Sequence, residues 1–370
     1  MIRIQSLSGA CAHAASALVC TLCLTLSPAT TARADEQPHA HEHDHEEHDD
    51  IEQIFITGTP LEHASDEMAA AVDEIDRRTL TKEIGTSLGE TLGQRPGIAT
   101  TGFAGGASRP VIRGQDAFRT GVVQDGLGTG DVSTLSPDHG VPVNPLTAQR
   151  VEIVRGPSTV RFGGGASAGV INTLTNRVPR RKVEAAAEGD VVGLVGHNAN
   201  ERMIAANLDG GFGPIAWHVD AVAQDQNEYK VPNRGLQPGS DLSANAFSAG
   251  ASYLGSVGRL GAAFGRFDTD YGIPEAEEDV DIELIANRVQ LEGDLFSGIP
   301  GIDEIRTRWA YTDYEHDEIA EGEVGQTFEN EEVEGRLEII HETVFGISGA
   351  LGGHFRFSDE EFAGEAEEFL

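Results

Sequence analysis

The sequence predicts a secreted, β-rich membrane protein: a signal peptide, then a small α+β domain inside a transmembrane antiparallel β-barrel. Three observations predict this fold class. A short apolar segment opens the chain, brief β-prone runs separated by glycines follow, and period-two alternation begins after Pro179. Glycines permit tight turns and close backbone approach, which suits a small sheet packed in a confined space.

Residues 1–34 have the pattern of a signal peptide. Arg3 gives the positive start, residues 14–26 are apolar, and Ala32-Arg33-Ala34 is a small-residue cleavage site. The alternative is a membrane anchor, but the apolar run is shorter than the roughly 20 residues that a span needs. Cleavage would remove all three cysteines, so we expect neither disulfides nor thiolate metal sites in the mature part: Cys11, Cys20 and Cys23.

The charge balance is strongly acidic, with 61 Asp plus Glu against 26 Lys plus Arg and a net charge of -35. This argues against nucleic acid as a partner, and a field of that sign concentrates cations near the surface. Acidic loops could instead serve only solubility. That alternative does not explain the histidines that follow the signal peptide.

Residues 35–50 form a tail in which histidines alternate with carboxylates. Imidazole and carboxylate donors at this spacing suit borderline divalent metals, and Zn²⁺, Cu²⁺ and Ni²⁺ fit equally well. A disordered acidic tail without metal is the alternative, because the segment has too little apolar content to fold. The candidate ligands are His39, His41, His43, His45 and His48.

The glycine-rich half carries two motif pairs in a fixed order. Arg109–Gly114 precedes Val122–Gly126, and Val151–Pro157 runs into Phe162–Asn172. Together they closely resemble the plug domain of TonB-dependent outer-membrane receptors, in the family order over roughly a hundred residues. The resemblance places the plug at 61–180 and the amino-terminal part of the barrel at 181–370. The predicted plug strands are 110–113, 121–124, 150–154 and 169–173.

From Asp73 onward the pattern predicts the opening helix of the plug, with Thr81–Arg95 placing Leu88 and Leu92 on one side. In the plug motifs the resemblance implies that two arginines bond acidic residues of the barrel wall. We interpret these arginines and their neighbouring glycines as structural, since the spacing of a nucleotide-binding loop is absent: Arg113, Gly114, Arg155 and Gly156.

Residues 51–60 are a β-prone run that ends at Gly58 and Pro60. The run resembles a TonB box, the segment that in this family adds as a strand to the periplasmic energising protein TonB. Strand addition needs an extended, accessible stretch, although the run could instead be the first strand of a domain. The residues expected to bind TonB are Ile51, Ile54, Phe55, Ile56 and Thr57.

After Pro179, apolar and polar residues alternate in segments of about ten residues, as in Ile215–Gln224. We count about nine such strands, whereas plugged transporters have about 22. Nine strands in lipid would leave two bare edges, so we expect this chain to be the amino-terminal part of a longer receptor. A soluble β-sandwich also alternates, but aromatic residues near strand ends favour the barrel: Trp217, Tyr253, Trp309 and Tyr311.

Within the plug, Asp138 and His139 are adjacent on a loop bounded by Pro and Gly. Zinc takes Asp oxygen and His nitrogen in a tetrahedral set, so partners would come from the barrel. The surrounding Ser-Pro-Asp-His run resembles zinc-uptake receptors of the ZnuD type, in which the matching pair binds zinc. His316, Asp317 and Glu318 also resemble that subfamily, and we expect them on an extracellular loop, either collecting metal or simply hydrated.

The sequence therefore predicts TonB-dependent import of a divalent metal, preferentially zinc as substrate, across the outer membrane of a Gram-negative bacterium. The amino-terminal tail and the TonB box would be periplasmic. Two alternatives stay open: a receptor for a chelated metal such as a siderophore, haem or cobalamin, and a surface metal-buffering or adhesion protein. No nucleophile elbow or His-Glu-x-x-His pattern is present, so we expect no enzyme activity and no catalytic cofactor.

Overall fold

The computed structural model describes residues 59–61, 72–274, 280–296, 298–320 and 322–364. The predicted signal peptide, the histidine tail and residues 51–58 of the predicted TonB box lie outside the described residues. Most of the acidic loop at 275–281 does so too. In the part that is described, no helix is long and apolar enough to span a membrane.

The first half of the described chain is a small α+β domain. Its five-stranded sheet has the order β1-β6-β7-β4-β5, with β4 and β7 parallel and the other neighbours antiparallel, and β2 pairs with β3 separately. The elements are β1 (Val72–Asp76), α1 (Arg77–Lys82), α2 (Leu88–Leu92), β2 (Ile98–Thr100), β3 (Pro110–Ile112), β4 (Thr120–Gln124), β5 (Leu127–Gly128), β6 (Arg150–Val154) and β7 (Gly169–Leu174). The core includes Leu80, Leu88, Leu92, Ile153 and Ile171.

The helix predicted from Asp73 to Arg95 is wrong in two places. Residues Val72–Asp76 are a strand that pairs antiparallel with β6. The remainder is two short helices, because Ser87 caps α2 by accepting a hydrogen bond from the Glu90 amide and so starts a new helix. At Gly85, between the two helices, a Cβ would lie 2.7 Å from the Glu90 Cβ, so only glycine fits this close turn.

The second half is one antiparallel sheet, which contains nine strands within the described residues, in agreement with the predicted count. Its order is β18-β17-β16-β15-β14-β13-β10-β9-β8, with a small separate hairpin of β11 and β12. The strands are β8 (Glu188–Val195), β9 (Arg202–Phe212), β10 (Ile215–Gln226), β11 (Lys230–Val231), β12 (Gly235–Leu236), β13 (Leu242–Gly255), β14 (Gly258–Gly272), β15 (Val280–Phe296), β16 (Ile302–Ala320), β17 (Glu323–Val344) and β18 (Ile347–Gly364).

Burial on this large sheet is the reverse of that in a soluble β-sandwich. On β16 the inner face, which packs against the α+β domain, carries the buried Arg308, Thr312 and His316. On the outer face, Trp309 is 41% exposed and Tyr311 39% exposed. An apolar outer face and a polar inner face are what a transmembrane barrel needs. The sequence analysis placed these two aromatic residues near a strand end. They lie in the middle of β16.

The two ends of the large sheet differ. At one end the connections between strands are short, as at 213–214, 256–257 and 345–346. At the opposite end the connections at 196–201 and 227–241 are longer, whereas the connection at 321–322 has two residues. Residues 59–61 lie at the short-turn end, where Arg306 Nη1 donates a hydrogen bond to the Pro60 carbonyl at 3.1 Å.

The predicted pairing of the motif arginines with the barrel wall is wrong. Arg155 Nη1 donates to Asp73 Oδ2 at 2.5 Å, and Asp73 belongs to β1 of the α+β domain itself. Arg113 is exposed in a turn with φ of 52°, and no ion pair to it occurs in the described chain. Two other arginines make such links: Arg161 binds Glu338 of β17 through hydrogen bonds of 3.0 and 2.7 Å, and Arg77 binds Asp190 of β8 through hydrogen bonds of 2.9 and 2.7 Å.

Candidate metal centre

His139 lies on the loop between β5 and β6, and its side chain is 1% exposed. Its Nδ1 is 3.2 Å from the Val132 carbonyl oxygen. Because a carbonyl only accepts hydrogen bonds, Nδ1 donates to it, and Nε2 faces Glu318 Oε1 at 3.3 Å. Tyr271 of β14 fixes the same loop to the large sheet, since its hydroxyl donates to the Asp138 carbonyl at 2.6 Å.

His316 and Glu318 lie within β16, so their predicted position on a loop is wrong. Residues an even number of positions apart on a strand share a face, so His316 and Glu318 lie on the inner face with Arg308 and Thr312. His316 is fully buried, and its Nδ1 is 3.0 Å from the hydroxyl of Tyr314. The buried His316 Nε2 has no hydrogen-bond partner. A buried polar atom without a partner is costly, so this nitrogen is set to receive a ligand.

These three side chains converge into one cluster. One ligand atom from each of His139, His316 and Glu318 lies within 4.8 Å of the other two. Glu318 Oε1 is 3.3 Å from His139 Nε2 and 3.9 Å from His316 Nε2. Two imidazole nitrogens and one carboxylate oxygen match the donor set of a divalent transition metal, with a further position left for another ligand.

Asp138 and Asp317, which the sequence also suggested as ligands, lie outside the cluster. Asp138 Oδ1 is 3.9 Å from His139 Nε2 and accepts a hydrogen bond from Ser136 Oγ. Asp317 accepts a hydrogen bond from Thr327 Oγ1 at 2.5 Å. Asp138 therefore lies at the edge of the site. The Asp317 carboxylate is hydrogen-bonded to Thr327 of β17 instead of facing the cluster.

Aromatic rings enclose the cluster. Phe328 of β17 stacks on the His316 ring with centroids 4.5 Å apart and meets the His139 ring at 4.7 Å. Tyr271 and Tyr314 are both almost completely buried beside the site. Glu318, with 18% of its side chain exposed, forms the open side. The three ligand atoms, all within 4.8 Å of one another, are close enough to bind a single ion.

Sequence reasoning missed Tyr314, Phe328 and Tyr271. Tyr314 could have been found, because it precedes His316 by two residues and therefore shares its face of the strand. Phe328 is brought to His316 by the register of β16 with β17. No spacing in the sequence reports that register.

We expect Tyr314→Phe to lower zinc affinity by about tenfold, because the hydroxyl that orients the His316 ring is lost while the ring packing stays. Isothermal titration of the purified protein with Zn²⁺ measures this. Tyr311→Phe on the outer face of the same strand is the matched control and should leave affinity unchanged. Equal affinities for the Tyr314 variant and the control would show that the Tyr314 hydroxyl does not contribute to zinc binding.

Asp138→Asn should weaken zinc binding less than loss of His139 does. The Asp138 carboxylate lies at the edge of the cluster, and an amide oxygen can still approach the metal. The same titration, run at one pH on both variants, compares them. A larger loss for the Asp138 variant would place this carboxylate among the primary ligands.

The comparisons with known proteins give the α+β domain its family. Residues 64–170 match the TonB-dependent receptor plug domain. The same residues supply His139 and form most of the small sheet that packs against the large one. This part of the chain is therefore a TonB-dependent receptor plug domain.

Relatives extend the similarity beyond the plug. A hemin receptor of Yersinia enterocolitica is 30% identical over 196 residues, which is 52% of this chain and 25% of the relative. The solved copper transporter OprC has a TM-score of 0.70 at 15% identity, covering 79% of this chain and 46% of that one. The solved ferric citrate transporter FecA has a TM-score of 0.63 at 18% identity, covering 80% and 48%. At these identities the solved structures show the fold, a plug with a barrel-type sheet. The chain spans about a quarter of the curated relative and about half of the solved ones.

Proposed function

We propose that this chain is the plug-bearing, amino-terminal part of a TonB-dependent outer-membrane receptor that imports a divalent metal ion, with zinc the preferred substrate. The main observation that supports this proposal is that one cluster takes its ligands from both parts of the fold. His139 comes from the plug, whereas His316 and Glu318 come from a strand of the large sheet.

The donor set and the size of the site favour an ion over a chelate. A chelated metal has most of its coordination positions filled by the chelator, so its receptor needs a wide pocket more than free metal ligands. Here His316 Nε2 is buried without a partner, and the three ligand atoms are within 4.8 Å of one another. The cluster holds no sulfur ligand, which favours Zn²⁺, Cu²⁺ or Ni²⁺ over Cu⁺.

The relatives motivate the main alternative, a receptor for a chelated metal. Their names include a hemin receptor and a ferric citrate transporter. Such a receptor would present aromatic or arginine-lined outer loops to a large ligand. A surface metal-buffering or adhesion protein is the other alternative, and it would need no energy coupling.

A bipartite site suggests how the ion is released. Metal affinity depends on all ligands being held in one geometry, so a displacement of the plug by a few ångströms separates His139 from His316 and Glu318. In our proposal TonB binds residues 51–60 from the periplasm and pulls. The ion then loses its plug ligand and leaves inward. Ion binding and plug position are coupled by the shared cluster.

Uptake of radioactive zinc by cells tests this proposal. Cells carrying the full-length receptor should accumulate zinc only when TonB is present, and excess haem or ferric siderophore should not compete. Competition by a chelate would favour the first alternative. Zinc binding without TonB-dependent uptake would favour the second.

We predict a collecting role for the histidine tail. Deleting residues 39–50 should lower the number of zinc ions bound per chain and leave the tight site intact, because the tail contributes donors outside the cluster. Isothermal titration gives the stoichiometry. The control replaces only the five histidines with alanine and keeps the carboxylates, so a loss in the deletion but not in the control would assign the effect to charge. If the deletion leaves the number of zinc ions per chain unchanged, the tail does not bind zinc and is only a solvated segment.

A further inference from the structure

One segment of the plug lies against the inner face of the large sheet and leads to the metal centre. Residues 127–132 comprise β5 and the four residues after it, and we call them the wall segment. At the end of the wall segment, the Val132 carbonyl accepts the hydrogen bond from His139 Nδ1. The wall segment therefore ends at the group that orients the plug ligand.

Two charged side chains of the large sheet hold the first part of the wall segment. Glu334 of β17 accepts a hydrogen bond from the Gly128 amide, and Arg288 of β15 donates to the Gly128 carbonyl at 2.6 Å. Both hydrogen bonds are charge-assisted, and the opposite charges of Arg288 and Glu334 also interact with each other. A Cβ at position 128 would lie 2.8 Å from Glu334 Oε2, so glycine permits this close approach.

Asn330 holds the wall segment closer to the metal centre. Its Nδ2 donates to the Gly130 carbonyl at 2.8 Å, and the side chain is 1% exposed. Asn330 Oδ1 has no partner, so within the described chain this side chain makes one hydrogen bond. Along β17, Asn330 lies two residues from Phe328, which stacks on the His316 ring. The contacts of the wall segment thus follow β17 toward the cluster.

Close packing restricts the rest of the wall segment. Gly130 has a φ of 72°, and a Cβ there would lie 2.6 Å from the Thr312 Cβ of β16. Val132 is buried and belongs to the same hydrophobic cluster as Tyr271 and Tyr314. The large sheet therefore determines where the Val132 carbonyl lies. That carbonyl in turn determines the direction of the His139 ring.

We propose that Asn330 is a positioning residue for the metal centre: by holding the Gly130 carbonyl it keeps the Val132 carbonyl in place, and so directs His139 Nε2 toward Glu318. This inference rests on the proposed function for the identity of the ion, whereas the position of the His139 ring can be measured without metal. Loss of a group that orients a ligating histidine lowers metal affinity by about 10–100-fold. Asn330 acts through the backbone, so its loss belongs at the lower end of that range.

The competing explanation is that Asn330 only anchors the plug. Asn207 of β9 provides a direct comparison, because its Nδ2 donates to the Leu146 carbonyl of the plug at 3.4 Å. Asn207 is also buried on the inner face, and its carbonyl partner lies outside the wall segment. An anchoring role predicts the same outcome for both asparagines. A positioning role predicts that only Asn330 affects the metal.

The experiment compares Asn330→Leu with Asn207→Leu in the full-length receptor, since leucine is similar in size to asparagine but cannot donate a hydrogen bond. Asn330→Leu should bind Zn²⁺ about tenfold more weakly in a competition titration. With Co²⁺ as a spectroscopic probe, its visible absorption band should shift, because a displaced imidazole changes the ligand geometry. Asn207→Leu should keep the wild-type affinity and band. Asn330→Ala removes the same donor and replaces the leucine variant if that variant does not fold.

A crystal structure of the metal-free Asn330→Leu receptor gives a readout that needs no metal. His139 Nε2 is 3.3 Å from Glu318 Oε1 in the unaltered chain. In the variant we expect this nitrogen to move beyond hydrogen-bonding distance of that oxygen. The Asn207→Leu structure should retain the original distance.

Two results would overturn the positioning role. One is an unchanged zinc affinity in Asn330→Leu together with an unmoved His139 ring. The other is an equal loss of affinity in both leucine variants, which would make Asn330 an anchor. If the wild type binds no zinc at the cluster, the proposed function is refuted, and the position of His139 in the metal-free structures still decides the role of Asn330.

Discussion

Replacing His139 with alanine should lower the zinc affinity of the tight site by about a hundredfold or more, equivalent to about 2.7 kcal/mol. His139 is the plug's contribution to the cluster, and its loss leaves two ligands on one strand. Competition titration with a zinc chelator measures the zinc affinity of the wild type and of the variant. Binding in the wild type should also weaken on acidification, because a protonated imidazole cannot ligate a metal.

Two histidines outside the cluster serve as controls for this result. His341→Ala removes an imidazole near the short-turn end of β17, where its Nδ1 contacts the Glu342 carbonyl outside the cluster. His43→Ala removes one histidine of the tail. Both variants should keep the tight affinity. If His139→Ala folds, inserts and binds zinc as tightly as these controls, the plug does not take part in the site.

The second large effect is expected at residues 51–60. Ile54→Pro should abolish zinc uptake while zinc binding at the cell surface persists. Proline removes a backbone donor and fixes φ, so the segment can no longer add as a strand to TonB. Ile54→Ala keeps the donor and should retain most of the uptake. Transport of zinc by the proline variant at the wild-type rate would show that TonB does not engage this segment by strand addition.

The strand pattern was readable from the sequence because it has a physical period. Arg150–Val154 was predicted with the bounds that the structure gives to β6, and the count of nine strands agrees as well. Both follow from short β-prone runs bounded by glycine and from alternation along the barrel strands. The family of the plug also follows from local motifs, which the match at 64–170 supports independently.

The errors occurred where local patterns conflict with long-range pairing. Val72–Asp76 is polar enough to resemble the start of a helix, but it becomes a strand by pairing with β6, far along the chain. The end of β16 was mistaken for a loop because its outward residues Glu315 and Asp317 are charged, so the apolar alternation disappears although the strand continues. Arg155 found its partner Asp73 within the plug, which no motif specifies.

The candidate metal centre was likewise predictable only in part. Asp138 and His139 were singled out by residue type, and so were His316 and Glu318 on β16. Their convergence could not be derived, because His139 and Glu318 are 179 positions apart and meet only when the plug packs against the large sheet. The supporting Phe328 depends on the register between β16 and β17. Residue chemistry was visible in the sequence, but geometry was not.

A crystal structure of the full-length receptor with zinc, using anomalous scattering at the zinc edge, tests whether His139, His316 and Glu318 bind the ion. We predict an anomalous peak within about 2.0–2.2 Å of His139 Nε2, His316 Nε2 and a Glu318 oxygen. A zinc peak elsewhere in the barrel, with these three side chains unliganded, would contradict it.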